Sequence, residues 1–147
     1  MSSRVDRVMV NDSYDDIYEF ARSQNWTDGL PIVPPTEERV ARMLGDRPPV
    51  KVLAQLEPQN GEATLERLAV NAVMAGCLPS YFPVIIAAAE AMADPLLGMY
   101  HVNTTTNSVG LISVINGPIR HKLGINGSYG CFGPGWHPNA TIGRAIR

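Results

Sequence analysis

The chain offers little that a nucleic acid or a membrane could bind. Its 12 basic and 14 acidic residues leave a net charge of -2, and Lys and Arg nowhere gather into the electropositive stripe that phosphate backbones or anionic headgroups require. A long hydrophobic run is missing too: the longest weakly polar stretch, Tyr81 to Ala93, is interrupted by Glu90 and falls short of the ~20 residues that span a bilayer. The N-terminus from Met1 to Asp15 is charged and lacks a signal-peptide apolar core. These absences predict a cytoplasmic protein with neither membrane nor nucleic acid among its partners. Cysteine is scarce: Cys77 and Cys131 are too few for a disulfide scaffold. Together with His101, His121 and His137 they show no Cys-x-x-Cys, His-x-x-x-His or His-Glu-x-x-His spacing, so no metal centre is expected.

What is present suffices for one core, since 45% of the 147 residues are hydrophobic and only 18% charged. Ser13-Tyr-Asp-Asp16 resembles a capping box, and Tyr14, Ile17, Tyr18 and Ala21 recur at helical spacing, predicting a helix over 14–24. Pro31, Pro34 and Pro35 force the following stretch into an extended arm. Thr36 then caps a helix over 37–44. Alternation over Val50 to Leu56 predicts a half-buried strand, and Pro58 to Gly61 a turn, with Asn60 as cap of a helix that ends at Gly76. Tyr81 to Ala93 is apolar almost all round and reads as an enclosed central helix. The β-rich letters of Tyr100 to Thr106 and Val109 to Ile115 predict two strands. Ile115-Asn-Gly117 echoes in Ile125-Asn-Gly127, too little for a repeat architecture. Asn139 caps a last helix with Ile142, Ala145 and Ile146 on one face, and the absence of a stop signal suggests a helix that continues beyond Arg147. The predicted fold is α/β, a mixed sheet with packed helices, with α+β as the alternative arrangement. It comprises an N-terminal segment and helix (1–25) and one core domain (26–147) that the last helix leaves incomplete.

The chemistry-bearing residues concentrate in the loop over 127–139. Four glycines, Gly127, Gly130, Gly133 and Gly135, surround Cys131. Such density lets backbone N–H groups converge on an anion and lets substrate approach the main chain. His137 and the helix start at Asn139 would each favour a thiolate. The plain alternative is a small cysteine packed in a tight loop. Cys77, after a helix end, reads as a core residue. Glu90, alone in an apolar helix, must be paired, neutral or facing a cavity, with Arg120 and Arg144 as candidate partners; Glu62 would sit in a helix first turn, where the dipole alone explains it. Asn103 lies in a Thr/Asn-rich strand able to line a pocket, and Trp136 is a loop anchor or a substrate platform. His121, within Arg120-His-Lys122, reads as solvated.

Taken together, Trp26-Thr-Asp-Gly-Leu-Pro-Ile-Val-Pro-Pro-Thr-Glu-Glu-Arg-Val40, Asn60-Gly-Glu-Ala-Thr64, Ala69-Val-Asn-Ala-Val-Met-Ala-Gly-Cys77, Ile115-Asn-Gly-Pro-Ile-Arg120 and Gly130-Cys-Phe-Gly-Pro-Gly-Trp136 through Ala145 resemble a bacterial family. Its members are linked to or fused with a small selenoprotein-like domain called UGSC. The resemblance covers most of the chain from Trp26 onward, brings no catalytic residues to transfer, and implies longer members; the UGSC motif itself does not occur here. The leading expectation is a cytosolic enzyme of small-molecule metabolism using thiol chemistry, nucleophilic or redox, at Cys131. Gly130, Gly133, Gly135, Trp136, Asn139 and Asn103 would bind a substrate with an anionic group, His137 would assist the thiol, and Glu90 or Glu62 would carry a proton. The other reading is a non-catalytic subunit whose loop docks a UGSC-type redox partner domain. The cofactor is unknown; a third reading, a binder of a phosphate-bearing cofactor, is weakened by the absence of Gly-x-Gly-x-x-Gly after a strand and of Walker spacing, and homo-oligomerisation stays open.

Overall fold

Local capping sets the first two helices. In the computed structural model, which describes residues 5–147, helix α1 (Tyr14–Ser23) begins at Ser13, whose hydroxyl accepts from the Asp16 amide, and Asp15 and Asp16 sit in its first turn. The start of the predicted N-terminal segment, 1–4, lies outside the described residues. Helix α2 (Glu37–Leu44) begins at Thr36, which accepts from the Arg39 amide, and buries Val40, Met43 and Leu44. Both helices stand where the sequence predicts them.

Strand β1 (Val52–Leu56) follows, and β2 (Gly61–Thr64) returns antiparallel to it with Leu56 opposite Gly61 and Gln55 opposite Glu62. Asn60 therefore caps no helix. It takes a left-handed corner at φ 53° in the connection, a conformation asparagine tolerates better than most residues. The cap belongs to Thr64, whose hydroxyl accepts from Arg67 N at 3.2 Å and opens helix α3 (Leu65–Met74). Glu62 consequently lies in the exposed first half of a strand and not in a helix first turn.

Helix α4 (Phe82–Met92) turns Phe82, Val84, Ile85 and Ala89 inward, while Ala87, Glu90 and Ala91 meet solvent. The expectation of an enclosed helix with a trapped carboxylate fails here. Its outer alanines cost little when wet, so one face is surface, and Glu90 stands on it. Helices α2, α3, α4 and α7 (His137–Ile146) pack on one another and the two-stranded sheet covers α4; Phe82, Met43 and Ile85 lie deepest. The charge buried beside this core, Glu66, accepts from Val5 N at 3.2 Å and lies 3.8 Å from Arg7.

Two predicted strands are absent among the described residues. Met99–Thr104 is a short helix, α5, entered through Gly98 at φ +64°, with the Thr104 hydroxyl turned back onto the Tyr100 carbonyl at 2.7 Å. Val109 to Asn116 has no regular secondary structure and joins no ladder. β-branched letters describe a residue's preference for extended backbone, and a strand also needs a neighbour. With helix α6 (Pro118–Lys122), the described chain holds seven α-helices and one two-stranded antiparallel sheet, a single domain within the mixed α/β or α+β class. No helix among the described residues is long and apolar enough to cross a membrane.

The arm between α1 and α2 is fastened to α7. Arg144 donates from Nε to Asp28 Oδ2 at 2.9 Å and from Nη2 to Oδ1 at 2.6 Å, and Nη1 reaches the Pro31 carbonyl at 2.8 Å. The hydrogen-bonded guanidinium holds the Asp28 carboxyl at about 2, below its ordinary 3.8. A depressed folded value means that the contribution is complete above the unfolded pKa and is lost as pH falls from about 4 toward 2. Because the Asp28 side chain is 47% exposed, solvent screening limits the pair to about 1 kcal/mol. Asp28→Asn should lower urea stability by roughly that amount at pH 7 and match the parent near pH 2. A constant difference across this range would remove the ion pair as the cause.

Candidate functional site

The cysteine loop is held from behind by one side chain. Asn139 accepts from the Asn126 amide at 2.9 Å, and its Nδ2 donates to the Asn126 carbonyl at 2.9 Å and the Cys131 carbonyl at 3.1 Å. Asn139 is thus not the cap of α7. The helix starts at His137, after Trp136, and Asn139 projects from its first turn to pair with the loop as a neighbouring strand would. Asn126 continues the clamp by accepting from Ser128 N at 2.9 Å and donating to the Tyr129 carbonyl at 3.0 Å. Gly130 and Gly135 adopt φ of +76° and +100°, which side-chain-bearing residues rarely do.

Three of the loop's amides are engaged locally. Cys131 N donates to the Ser128 carbonyl at 3.1 Å and Gly133 N to the Gly130 carbonyl at 2.8 Å, and Ser128 N donates to Asn126 Oδ1.

The positive charge beside the loop comes from α6 instead. Cys131, half-buried, lines a cavity of about 1140 Å³ together with Arg120, His121, Asn126, Gly127 and Asn139. Leu111, Ile115, Ile125, Ile142 and Ile146 supply apolar walls, and no Asp or Glu among the described residues lines it. Arg120 has no carboxylate of the described residues within ion-pair distance. Its Nη2 lies 3.3 Å from His121 Nε2, toward which a guanidinium can only donate. Gly127 makes room for this arrangement. A methyl group there would overlap Arg120 Nη1, although its backbone lies outside the left-handed region that demands glycine.

The remaining sequence candidates lie elsewhere. His137 does not line the cavity; its Nδ1 is 3.3 Å from the Tyr81 hydroxyl. Glu90 and Glu62 are exposed on α4 and β2, and neither joins Cys131; Arg144, one of the partners expected for Glu90, is taken by Asp28. Exposure removes the reason for assigning Glu90 a general-acid role. Gly130, Gly133, Gly135 and Trp136 shape the loop but do not line the cavity. Asn103, on α5, donates to the Glu57 carbonyl at 2.9 Å and borders a second cavity of about 920 Å³ with Arg144. Cys77 is buried, as expected of a core residue: its Sγ donates to the Thr141 carbonyl at 3.2 Å, and burial pushes its thiol up to about 11. Both cysteines are free.

Sequence reasoning missed Asn126 as a cavity residue, and it named Arg120 only as a partner for Glu90, His121 only as solvated and Gly127 only within the glycine density of the loop. The signal was the echo of Ile-Asn-Gly at 115–117 and 125–127, which brackets the short α6 and returns the second glycine to its arginine. Among the described residues no three His, Cys, Asp or Glu side chains gather as a metal site. No family model, curated protein or solved structure matches the chain.

Proposed function

We propose that the chain is a cytosolic enzyme of small-molecule metabolism in which Cys131 acts as a nucleophile on a substrate held in the α6–α7 cavity. The observation that carries this reading is the placement of a half-buried thiol in the wall of a cavity whose lining, among the described residues, includes Arg120 and no carboxylate. In the step envisaged, the Cys131 thiol loses its proton to water entering the open cavity. Its sulfur forms a bond to an electrophilic carbon such as that of an activated carboxyl, and the leaving group departs with the bonding pair. Relative to the sequence expectation, the neighbouring groups change: Arg120 and His121 stand in the cavity wall in place of His137, Glu90 and Glu62.

Intact-mass analysis after incubation with small acyl thioesters tests this. An acyl adduct on Cys131 is expected in the parent and not in Cys131→Ser. The absence of any adduct with thioester, epoxide and disulfide probes on folded protein would overturn the reading.

A second reading is favoured by one observation. Tyr129 is 98% and Phe132 88% exposed beside Cys131, a wasteful display for a loop that meets only small molecules. In that reading the loop docks a redox partner domain of the UGSC type, as the resemblance implies. It predicts an unreactive Cys131 together with binding of an isolated UGSC-type domain that Phe132→Ser abolishes.

A further inference from the structure

The Arg120 guanidinium lies against the main chain at Gly127, in a place that any side chain at position 127 would contest. Because the Gly127 backbone does not itself require glycine, the missing side chain is explained by space for the guanidinium. A cation held in this way, without a carboxylate partner among the described residues, offers its donors to the cavity. The rest of the lining is chiefly apolar, with Leu111, Ile115, Ile142 and Ile146 on its walls, neutral Asn126 and Asn139 at the loop side and His121 beside Arg120.

A single guanidinium facing apolar walls matches a ligand with one negative charge and a hydrocarbon body. Its planar fork suits a carboxylate, whereas a dianion would leave a charge unmet and a cation would be repelled. We infer that Arg120 and Gly127 form the receptor for the carboxylate of a small apolar monocarboxylate, whose body lies along α7 beside Cys131. The inference rests on the proposed function in that it names the substrate class of the same cavity. It assigns recognition to α6, while the chemistry stays with the loop.

Octanoate and octanamide, equal in length and different in charge, are the probes. Protection of Cys131 against iodoacetamide and the shift of the Gly127 amide resonance are both read, so that binding is seen whether or not the thiol reacts. Octanoate is expected to protect Cys131 and move the Gly127 resonance with an affinity about tenfold above that of octanamide, the value of one charge-assisted contact. Inorganic phosphate should do neither. Arg120→Gln and Gly127→Ala should each bring octanoate down to the octanamide level. Gly127→Ala displaces only the end of a flexible side chain and should keep the parental urea midpoint.

Equal binding of acid and amide, or octanoate binding that survives both substitutions, overturns the inference even where Cys131 proves reactive. An inert Cys131 with charge-selective octanoate binding overturns the proposed nucleophile and leaves the receptor standing.

Discussion

At pH 7, iodoacetamide is expected to modify Cys131 first and to leave Cys77 reacting at least about a hundredfold more slowly than an ordinary thiol. The factor follows from the ionisation of Cys77: burial raises it from 9.0 to about 11. The attacking thiolate fraction falls about tenfold for each unit at a fixed pH below both values. Burial adds a steric penalty in the same direction, since the Cys77 sulfur is packed in the core and turned toward the Thr141 carbonyl. Cys131 is only half-buried and lies in the wall of an open cavity. Peptide mapping after timed quenching reads both sites in one sample, and faster labelling of Cys77 in folded protein would reverse the assignment of the accessible thiol. The same raised value has a consequence for stability. The buried neutral thiol contributes fully below pH 9, and that contribution is lost as pH rises toward 11, because the unfolded chain gives up its proton first.

Asn139→Asp is expected to cost about 2–3 kcal/mol, more than Asn139→Ala. The introduced carboxylate can still accept from the Asn126 amide, but it faces the Asn126 and Cys131 carbonyls with a lone pair where Nδ2 now donates. Two hydrogen bonds are replaced by two repulsions. Alanine merely removes the partners, and the half-exposed loop lets water take their place, so that about 1–2 kcal/mol is lost. Urea unfolding gives the order of the two variants. Chymotrypsin supplies an independent reading, because Tyr129 and Phe132 sit at the surface and should be cut sooner once the loop opens. If alanine proved the more harmful substitution, the donated bonds would not be what holds the loop.

The contrast between Asn60 and Thr64 shows what a sequence conveys. Ser13 and Thr36 were legible as caps because a capping hydroxyl answers to an amide three residues away. Asn60 and Thr64 are both acceptable caps by the same local rule, and the choice between them depends on β2 pairing with β1. That contact is not local. Glu90 is a similar case: its isolation among apolar letters was visible, but whether it turned inward depended on how α4 lies against α3 and α7. At the site, the glycine density marked the Cys131 loop and its left-handed corners. Arg120 could not be assigned by spacing, because its place against Gly127 arises from the return of the chain after α6. The histidine chosen by nearness in sequence faces Tyr81.

Helix α7 behaves as a crossbar. Near one end Arg144 grips residues 28–31, near the other Asn139 closes the Cys131 loop, and between them the Thr141 carbonyl receives Cys77. Asp28 and Arg144 are 116 residues apart in sequence, so their clamp closes a long ring and carries a correspondingly large entropic cost. During synthesis the arm leaves the ribosome 116 residues ahead of its mate and must wait for α7 before the clamp can close. Until α7 docks, the loop has no Asn139 behind it. The cavity beside Cys131 therefore matures with the docking of this helix, and a chain stalled before that step would expose the thiol without the wall that selects what reaches it.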